Sequence, residues 1–362
     1  MSDRKVTFPH LGNYCVPIAK LFTDGLDTEY ITPPPVTKRT LELGSRYSPD
    51  YVCAPFKYCL GNYIESLEAG ANILVQTGGV CRLGYYGELH EQILRDLGYN
   101  FRLVNMTGSR YIKAVSYYND FKEVNPDMSL KKIAAVLPVV MKMVECIDEA
   151  EEFIRKNVGF EINEGEFNKL HHEYLNGLKN VSGKKELKFL HKHYMRMFSE
   201  IPLKKVENNL KVGIIGEYYT IMEPFSNHYL EKELAKMGIS IDRWMNLSTT
   251  LLHNNNREKK ENIKDYSKYD MGATCMSTID KALYCAKHNY DGIIHVKSFG
   301  CTPETDAMPV LQNISRDYKI PILYFSFDTQ TAETGIRTRL EAFYDMIIMR
   351  KEAQHNESIS GT

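Results

Sequence analysis

Cys81 and Cys301 are the residues best placed to do chemistry. Each follows an apolar run that reads as a buried strand, in TGGVCR and SFGCTPE. Ligands of open α/β sheets bind beyond the carboxyl ends of the strands, so both thiols are aimed at the expected crevice. The glycines before them (Gly78, Gly79 and Gly300) accept φ > 0 and let the backbone approach a bound object closely. Cys53 precedes APFK, whose proline suits the first turn of a helix better than a central strand. Three thiolates on separate loops, converging between two domains, suit an iron–sulfur cluster built at a domain interface. No CxxC pair is present, and a second reading stands beside the first, because free cysteine is among the most buried residue types.

The elements that must position these loops follow a recurring pattern. An apolar, β-branched run gives way to glycine and then to an amphipathic stretch, the mark of βα units and parallel sheets. Strands are expected at Lys5–Phe8, Asn72–Gln76, Phe101–Val104, Lys211–Ile215, Gly292–Val296 and Ile322–Ser326. Between residues 115 and 205 only helical spacing remains, over Leu130–Asn157, Gly165–Leu178 and Lys185–Phe198. The expected architecture is α/β: two Rossmann- or flavodoxin-like parallel-sheet domains, residues 1–115 and 208–362, joined by a helical connector over 116–207. The two α/β segments read as degenerate copies. KVTFPHLGNYCVPIAKLFTDGL parallels KVGIIGEYYTIMEPFSNHYLEKELAKMG, and Cys81 then aligns with Cys301 and Cys53 roughly with Cys275.

A chain of 362 residues favours two domains on length alone. Hydrophobic residues at 43% and charged residues at 25% are ordinary for a soluble globular protein. A formal net charge of −1 gives no ground for a nucleic-acid or anionic-membrane partner. One basic stretch (Lys184, Lys185, Lys188, Lys192, Lys204 and Lys205) reads as a solvated helix face. The N-terminus, MSDRKVTFPHLG, has no apolar core of a signal peptide, and no stretch approaches the roughly 18 apolar residues of a membrane span. A cytoplasmic location is therefore expected. Thiols stay reduced there, so the 8 cysteines call for ligation or burial rather than disulfides.

The segment VCAPFKYCLGNYIESLEAGANILVQTGGVCRLGYY resembles the N-terminal signature of the 2-hydroxyacyl-CoA dehydratase D-component family, and within it the acyl-CoA dehydratase activase-like branch. PPPVTKRTLELGSRYSP ahead of it is similar to the same family, as are KVGIIGEYY, DGIIHVKSFGCTPET and IPILYFSFDTQTAETGIRTRLEAFYDMI later on. The resemblance spans residues 3–115 and 208–350. It implies a [4Fe–4S] cluster in the cleft between two α/β domains, held by Cys53, Cys81 and Cys301. In that family the fourth iron site stays open for substrate or water. An ATP-hydrolysing activase, itself an iron–sulfur protein, injects a low-potential electron for reduction or dehydration of a small substrate. The resemblance is compatible with a homo- or heterodimer.

Further positions match family motifs: Glu217, Asn227, Glu304, Thr338, Arg339 and Glu341. Arg339 and Glu341 read more simply as a helix-start ion pair or cap. Glu217 follows a strand-end glycine and reads either as a cleft residue or as a structural one. Arg82 reads as a donor to cluster sulfur, an anion ligand or a salt-bridge partner. The sequence departs from the family at FDTQTAETG, where relatives carry an acidic DE-x-T-G-E-A-G stretch. Cys275 and Cys15 are extra candidate ligands, which opens two variants: a cluster without an open iron used for electron transfer, or a double-cubane [8Fe–9S] cluster. Cys59, Cys146 and Cys285 fall at helical positions and read as core. Neither GxGxxG nor GxxxxGK[ST] follows any strand, so nucleotide binding is unsupported. HHEY and HKHY lack thiolate neighbours at zinc spacing and read as surface histidines. The alternative to an enzyme component is a non-catalytic electron-transfer or scaffold subunit, and a third reading is a cluster-free chain with buried structural cysteines.

Overall fold

Apolar runs flanked by helical stretches can bury both faces only in a sheet covered on two sides, and this chain builds two such sheets. The computed structural model describes residues 3–78, 81–107, 114–206, 209–253, 255–272 and 274–360. All six expected strands are present, within three residues of their expected ends. They are β1 (Lys5–Thr7), β3 (Ile73–Gly78), β4 (Arg102–Thr107), β5 (Leu210–Gly216), β7 (Gly292–Ser298) and β8 (Ile322–Phe327). Two more, β2 (Glu29–Tyr30) and β6 (Ile239–Arg243), complete the sheets. The orders are β2-β1-β3-β4 and β6-β5-β7-β8, with every pairing parallel. The same order in both sheets is the internal repeat seen as structure.

The equivalent helices carry the repeat further. Helix Ala54–Glu68 precedes β3, and helix Cys275–Lys287 precedes β7. After β3 comes helix Tyr86–Asp96, and after β7 comes helix Thr302–Tyr318. Helix Ala54–Glu68 is fixed by helix Lys38–Tyr47 through reciprocal glycines. A Cβ on Gly44 would lie 1.7 Å from the Lys57 carbonyl oxygen, and one on Gly61 would lie 1.9 Å from the Thr40 carbonyl oxygen. Only glycine lets the two backbones meet so closely.

The chain divides into two compact units, residues 1–150 with 168–200, and residues 151–167 with 201–362. Helices expected in the connector therefore fall mostly with the first unit, including Glu166–Lys179 and Lys184–Glu200. Helix Leu130–Asn157 supplies residues to both units. In the first, Val6, Ile73, Val75, Val104 and Met106 of the sheet pack with Phe22, Leu26, Val124 and Ile133. In the second, apolar clusters cover both faces, one built on Val212, Ile214, Ile241 and Phe325, the other on Ile215, Ile279, Ile293 and Leu311. Pro138 and Pro309 sit inside helices without ending them.

Beneath β6 the second unit buries charge. Arg243 reaches Glu231 at 2.9 Å and Glu151 at 3.4 Å, while Asp242 takes Lys156 at 3.0 Å, Lys211 at 3.1 Å and the Tyr290 hydroxyl at 2.6 Å. The lysines of the basic stretch are all exposed. His191 departs from the surface reading: it is largely covered, linking the Tyr174 hydroxyl at 2.9 Å to Glu149 at 3.1 Å. Among the described residues no helix is long and apolar enough to cross a membrane.

Candidate functional site at the cysteine loops

In the first unit, Cys53 follows a turn and, itself in an extended conformation, stands at the N-cap of helix Ala54–Glu68, with proline in the first turn as its residue type favours. Its Sγ lies 2.6 Å from the Tyr86 hydroxyl. Cys81 follows β3 and caps the short 3₁₀ turn Arg82–Tyr85, where its Sγ accepts the Leu83 N–H at 3.4 Å. That turn runs directly into helix Tyr86–Asp96, so the element that starts at Cys81 delivers the hydroxyl that meets Cys53. Arg82 is exposed, and Gly79 lies outside the described residues.

The ring of Tyr86 is held from below. It stands edge-on to Phe56 at 4.8 Å between centroids, and Phe56 stacks on His90 at 4.1 Å. His90 has no exposure and its Nε2 lies 3.0 Å from the Phe56 carbonyl oxygen. Burial lowers its pKa to about 4, with the carbonyl contact opposing, so it is neutral near pH 7 and Nε2–H donates to the carbonyl. Burial likewise raises the Tyr86 phenol above its ordinary value, with the thiols of Cys53 and then Cys81 adding to the rise. Tyr86 thus stays protonated and able to donate. Tyr86 relates the two loops, because its hydroxyl meets Cys53 and its helix continues the Cys81 turn.

In the second unit, Cys301 follows β7 through Gly300, whose φ of +80° favours glycine, and among the described residues, its chain neighbours apart, no atom lies within 4 Å of where a Cβ would stand. Cys301 caps helix Thr302–Tyr318 from an extended conformation and is only half-buried. One turn on, Glu304 is fully buried. It accepts from His295 Nε2 at 2.7 Å, from the Thr278 hydroxyl at 3.1 Å and from the Thr274 hydroxyl. A single carboxylate thereby ties the helix that begins at Cys301 to β7 and to helix Cys275–Lys287. Cys275, the first residue of that helix, has no exposure and packs with Ile215, Ile279 and Ala307. Burial pushes its thiol up to about 12, with Glu304, Asp306 and Asp270 adding, so it is a protonated core thiol at neutral pH.

The other motif residues hold local structure. Glu217 caps the short helix Tyr218–Met222, accepting from the Tyr219 and Thr220 amides at 2.7 and 3.0 Å. Burial raises its pKa, against the hydrogen bonds from Thr220 and Tyr219, and Glu304 adds to the rise. Asn227 is buried and bridges the Thr220 carbonyl at 2.7 Å and the Leu230 amide at 3.0 Å. Arg339 donates to the Tyr324 carbonyl at 2.6 Å and lies over the Phe325 ring, while Glu341 pairs with Arg337 at 3.1 Å. The ion pair near the start of helix Glu333–Ser360 therefore uses Arg337, not Arg339. Thr338 bonds back to the Thr334 carbonyl. In FDTQTAETG, Asp328 accepts from the Gln330 amide and the Thr331 hydroxyl and closes its own turn.

Of the sequence candidates, Cys53 and Cys81 belong to the first unit and Cys301 and Cys275 to the second. Among the described residues no group of three or more His, Cys, Asp or Glu side chains is gathered to hold a metal ion. Sequence reasoning missed Tyr86, His90, His295, Thr274 and Thr278. Tyr86 and His90 lie within ten residues of Cys81, so a search of that loop for hydrogen-bond donors would find them. His295 is hidden in the apolar run GIIHV.

Residues 200–347 match the family model described as 2-hydroxyglutaryl-CoA dehydratase, D-component. The resemblance read from KVGIIGEYY, DGIIHVKSFGCTPET and the closing helix is borne out by this match. No curated protein matches the chain.

Proposed function

We propose that the chain is an iron–sulfur component of the dehydratase type. It holds a [4Fe–4S] cluster on Cys53, Cys81 and Cys301, accepts low-potential electrons from an ATP-hydrolysing activase, and serves the reduction or dehydration of a small substrate. The observation that carries this reading is how the cysteines divide. Cys53, Cys81 and Cys301 are half-buried helix caps on loops, the latter two at strand ends, whereas Cys59, Cys146, Cys275 and Cys285 are buried in helices. Cys15, also half-buried, opens helix Cys15–Lys20, and a double-cubane cluster would draw on it or on Cys275.

The donor set fits an iron–sulfur group. Thiolates are its ligands, Cys81 already accepts an amide hydrogen, Cys53 meets a hydroxyl, and Gly300 leaves open space beside Cys301. When bound, the cluster supplies single electrons at a potential set by ligands, charge and hydrogen bonds to sulfur. The chain's own part is to fix the three sulfurs at helix caps and to present hydrogen-bond donors to them. The Glu304 hub anchors the helix start at Cys301. A non-catalytic electron-transfer or scaffold subunit is the second reading, favoured by the turn at Asp328, whose carboxylate is committed to its own loop.

The test is anaerobic preparation of the full-length chain followed by iron and sulfide analysis. Roughly four irons per chain support a cubane and roughly eight a double cubane, while none removes the proposal. Cys53→Ala, Cys81→Ala and Cys301→Ala should each lose the brown absorption, and Cys146→Ala should keep it. Reduction by an activase with ATP, but not by ordinary reductants, supports the enzyme reading. Binding of the activase without reduction leaves the scaffold reading.

A further inference from the structure

A thiolate carries no proton. When Cys53 is ionised to hold iron, the Tyr86 hydroxyl 2.6 Å from its sulfur can only be the donor. Tyr86 is 5% exposed, so little water competes for that hydroxyl, and its ring is wedged against Phe56, which lies on the first turn of the helix that Cys53 caps. The same tyrosine opens the helix that continues the Cys81 turn. One side chain therefore reads the position of both cysteine loops of the first unit. Its ring contact locks the helices together, and its hydroxyl is addressed to sulfur.

We propose that Tyr86 is a positioning residue of the cluster site, whose hydroxyl donates a hydrogen bond to the Cys53 thiolate, fixes that ligand and raises the potential of the bound cluster. The inference rests on the cluster reading above. Hydrogen bonds to ligand sulfur draw negative charge away from the cluster and favour its reduced form. A chain that must accept an electron of low potential gains from such a donor, and a buried tyrosine supplies it without admitting water.

The test is a spectroelectrochemical titration of the anaerobically prepared full-length chain, in the wild type, in Tyr86→Phe and in Phe56→Leu. Tyr86→Phe keeps the ring and its edge contact but removes the donor. It should retain iron and show a more negative midpoint potential. Phe56→Leu loosens the ring packing but leaves the hydroxyl, and should keep the wild-type potential. Iron bound with an unchanged potential in Tyr86→Phe overturns this inference and leaves the cluster reading intact. So does an equal shift in both variants. A wild type that binds no iron overturns the cluster reading itself. If Tyr86→Phe loses its iron, retention in Phe56→Leu assigns the loss to the hydroxyl and supports the proposal, whereas equal loss assigns it to packing and overturns it.

Discussion

A carboxylate without any exposure is tolerable only when its oxygens are fully engaged, and Glu304 meets that condition with His295, Thr274 and Thr278. Removing it leaves three buried polar partners without their acceptor. Glu304→Ala should therefore destabilise the second unit by about 2–4 kcal/mol, and Glu304→Gln by less, because an amide can still accept from the hydroxyls. Urea midpoints of the two variants check this, and equal midpoints for wild type and Glu304→Ala would refute it. Glu304 was visible in the sequence only as a motif position. Its role depends on His295, and a histidine in the fully buried strand β7 gives no periodic signal to distinguish it from its apolar neighbours. Cys275 teaches the converse. The repeat aligned it with Cys53, but Cys53 stands just ahead of its helix as a cap while Cys275 is the first residue within one, and that single position separates a half-buried loop thiol from a core thiol.

At the scale of elements, the strands inside each sheet were legible because burial on both faces makes a continuous apolar run. Of the four edge strands, β4 and β8 were legible as apolar runs as well, but β2 and β6 were not. β2 is two residues long, and β6 ends in Asp242 and Arg243, whose charges are satisfied by partners far apart in sequence. The crossing of helices Lys38–Tyr47 and Ala54–Glu68 was equally hidden, since GSRY and CLGNY show glycine without showing what it approaches. The geometry makes a sharp demand there. In Gly44→Ala the new methyl would overlap the Lys57 carbonyl, so the helices must part and carry the Cys53 cap with them. A loss of about 3 kcal/mol is expected, at the upper end of overpacking costs. On the cluster proposal, iron retention at Cys53 should fall with it. Gly183→Ala, where among the described residues, chain neighbours apart, nothing lies within 4 Å, is the control and should melt much closer to the wild type. Thermal melts with iron analysis settle the matter, and a Gly44→Ala chain as stable as that control would show that the helices do not depend on this contact.

At the scale of the whole molecule, the two-unit repeat was legible from motif order alone, yet the two units answer to acid through different chemistry that no motif discloses. In the first unit the sensor is His90, with a folded pKa of about 4 against the ordinary 6.5. Its lowered value means the unfolded chain binds a proton that the folded unit refuses. The stability it contributes is complete above pH 6.5 and is lost as pH falls toward 4, a loss on the order of 3 kcal/mol. Protonation there places a charge beneath Phe56 and Tyr86, with His90 Nδ1 lacking a hydrogen-bond partner among the described residues. In the second unit, burial pushes Asp242 up, but the hydrogen bonds from Tyr290, Lys156 and Lys211 outweigh it and hold it below the ordinary 3.8. Its contribution is therefore present above that value and lost only in stronger acid. His228 in the same unit is lowered by burial as well, but it is half-exposed and water screens its charge. The first unit should accordingly weaken between pH 6.5 and 4 while the second largely holds. The single tryptophan, Trp244, packs on Tyr284 and Tyr290 in the second unit, so its fluorescence follows that unit, whereas far-ultraviolet circular dichroism follows both. In urea unfolding at a series of pH values, the dichroism should resolve a first transition whose midpoint drops across this window, with the fluorescence midpoint nearly constant. His90→Gln, which cannot ionise but can still donate to the Phe56 carbonyl, should abolish the drop. Parallel movement of both probes, unaffected by His90→Gln, would show that acid sensitivity does not reside in the packing beneath Tyr86.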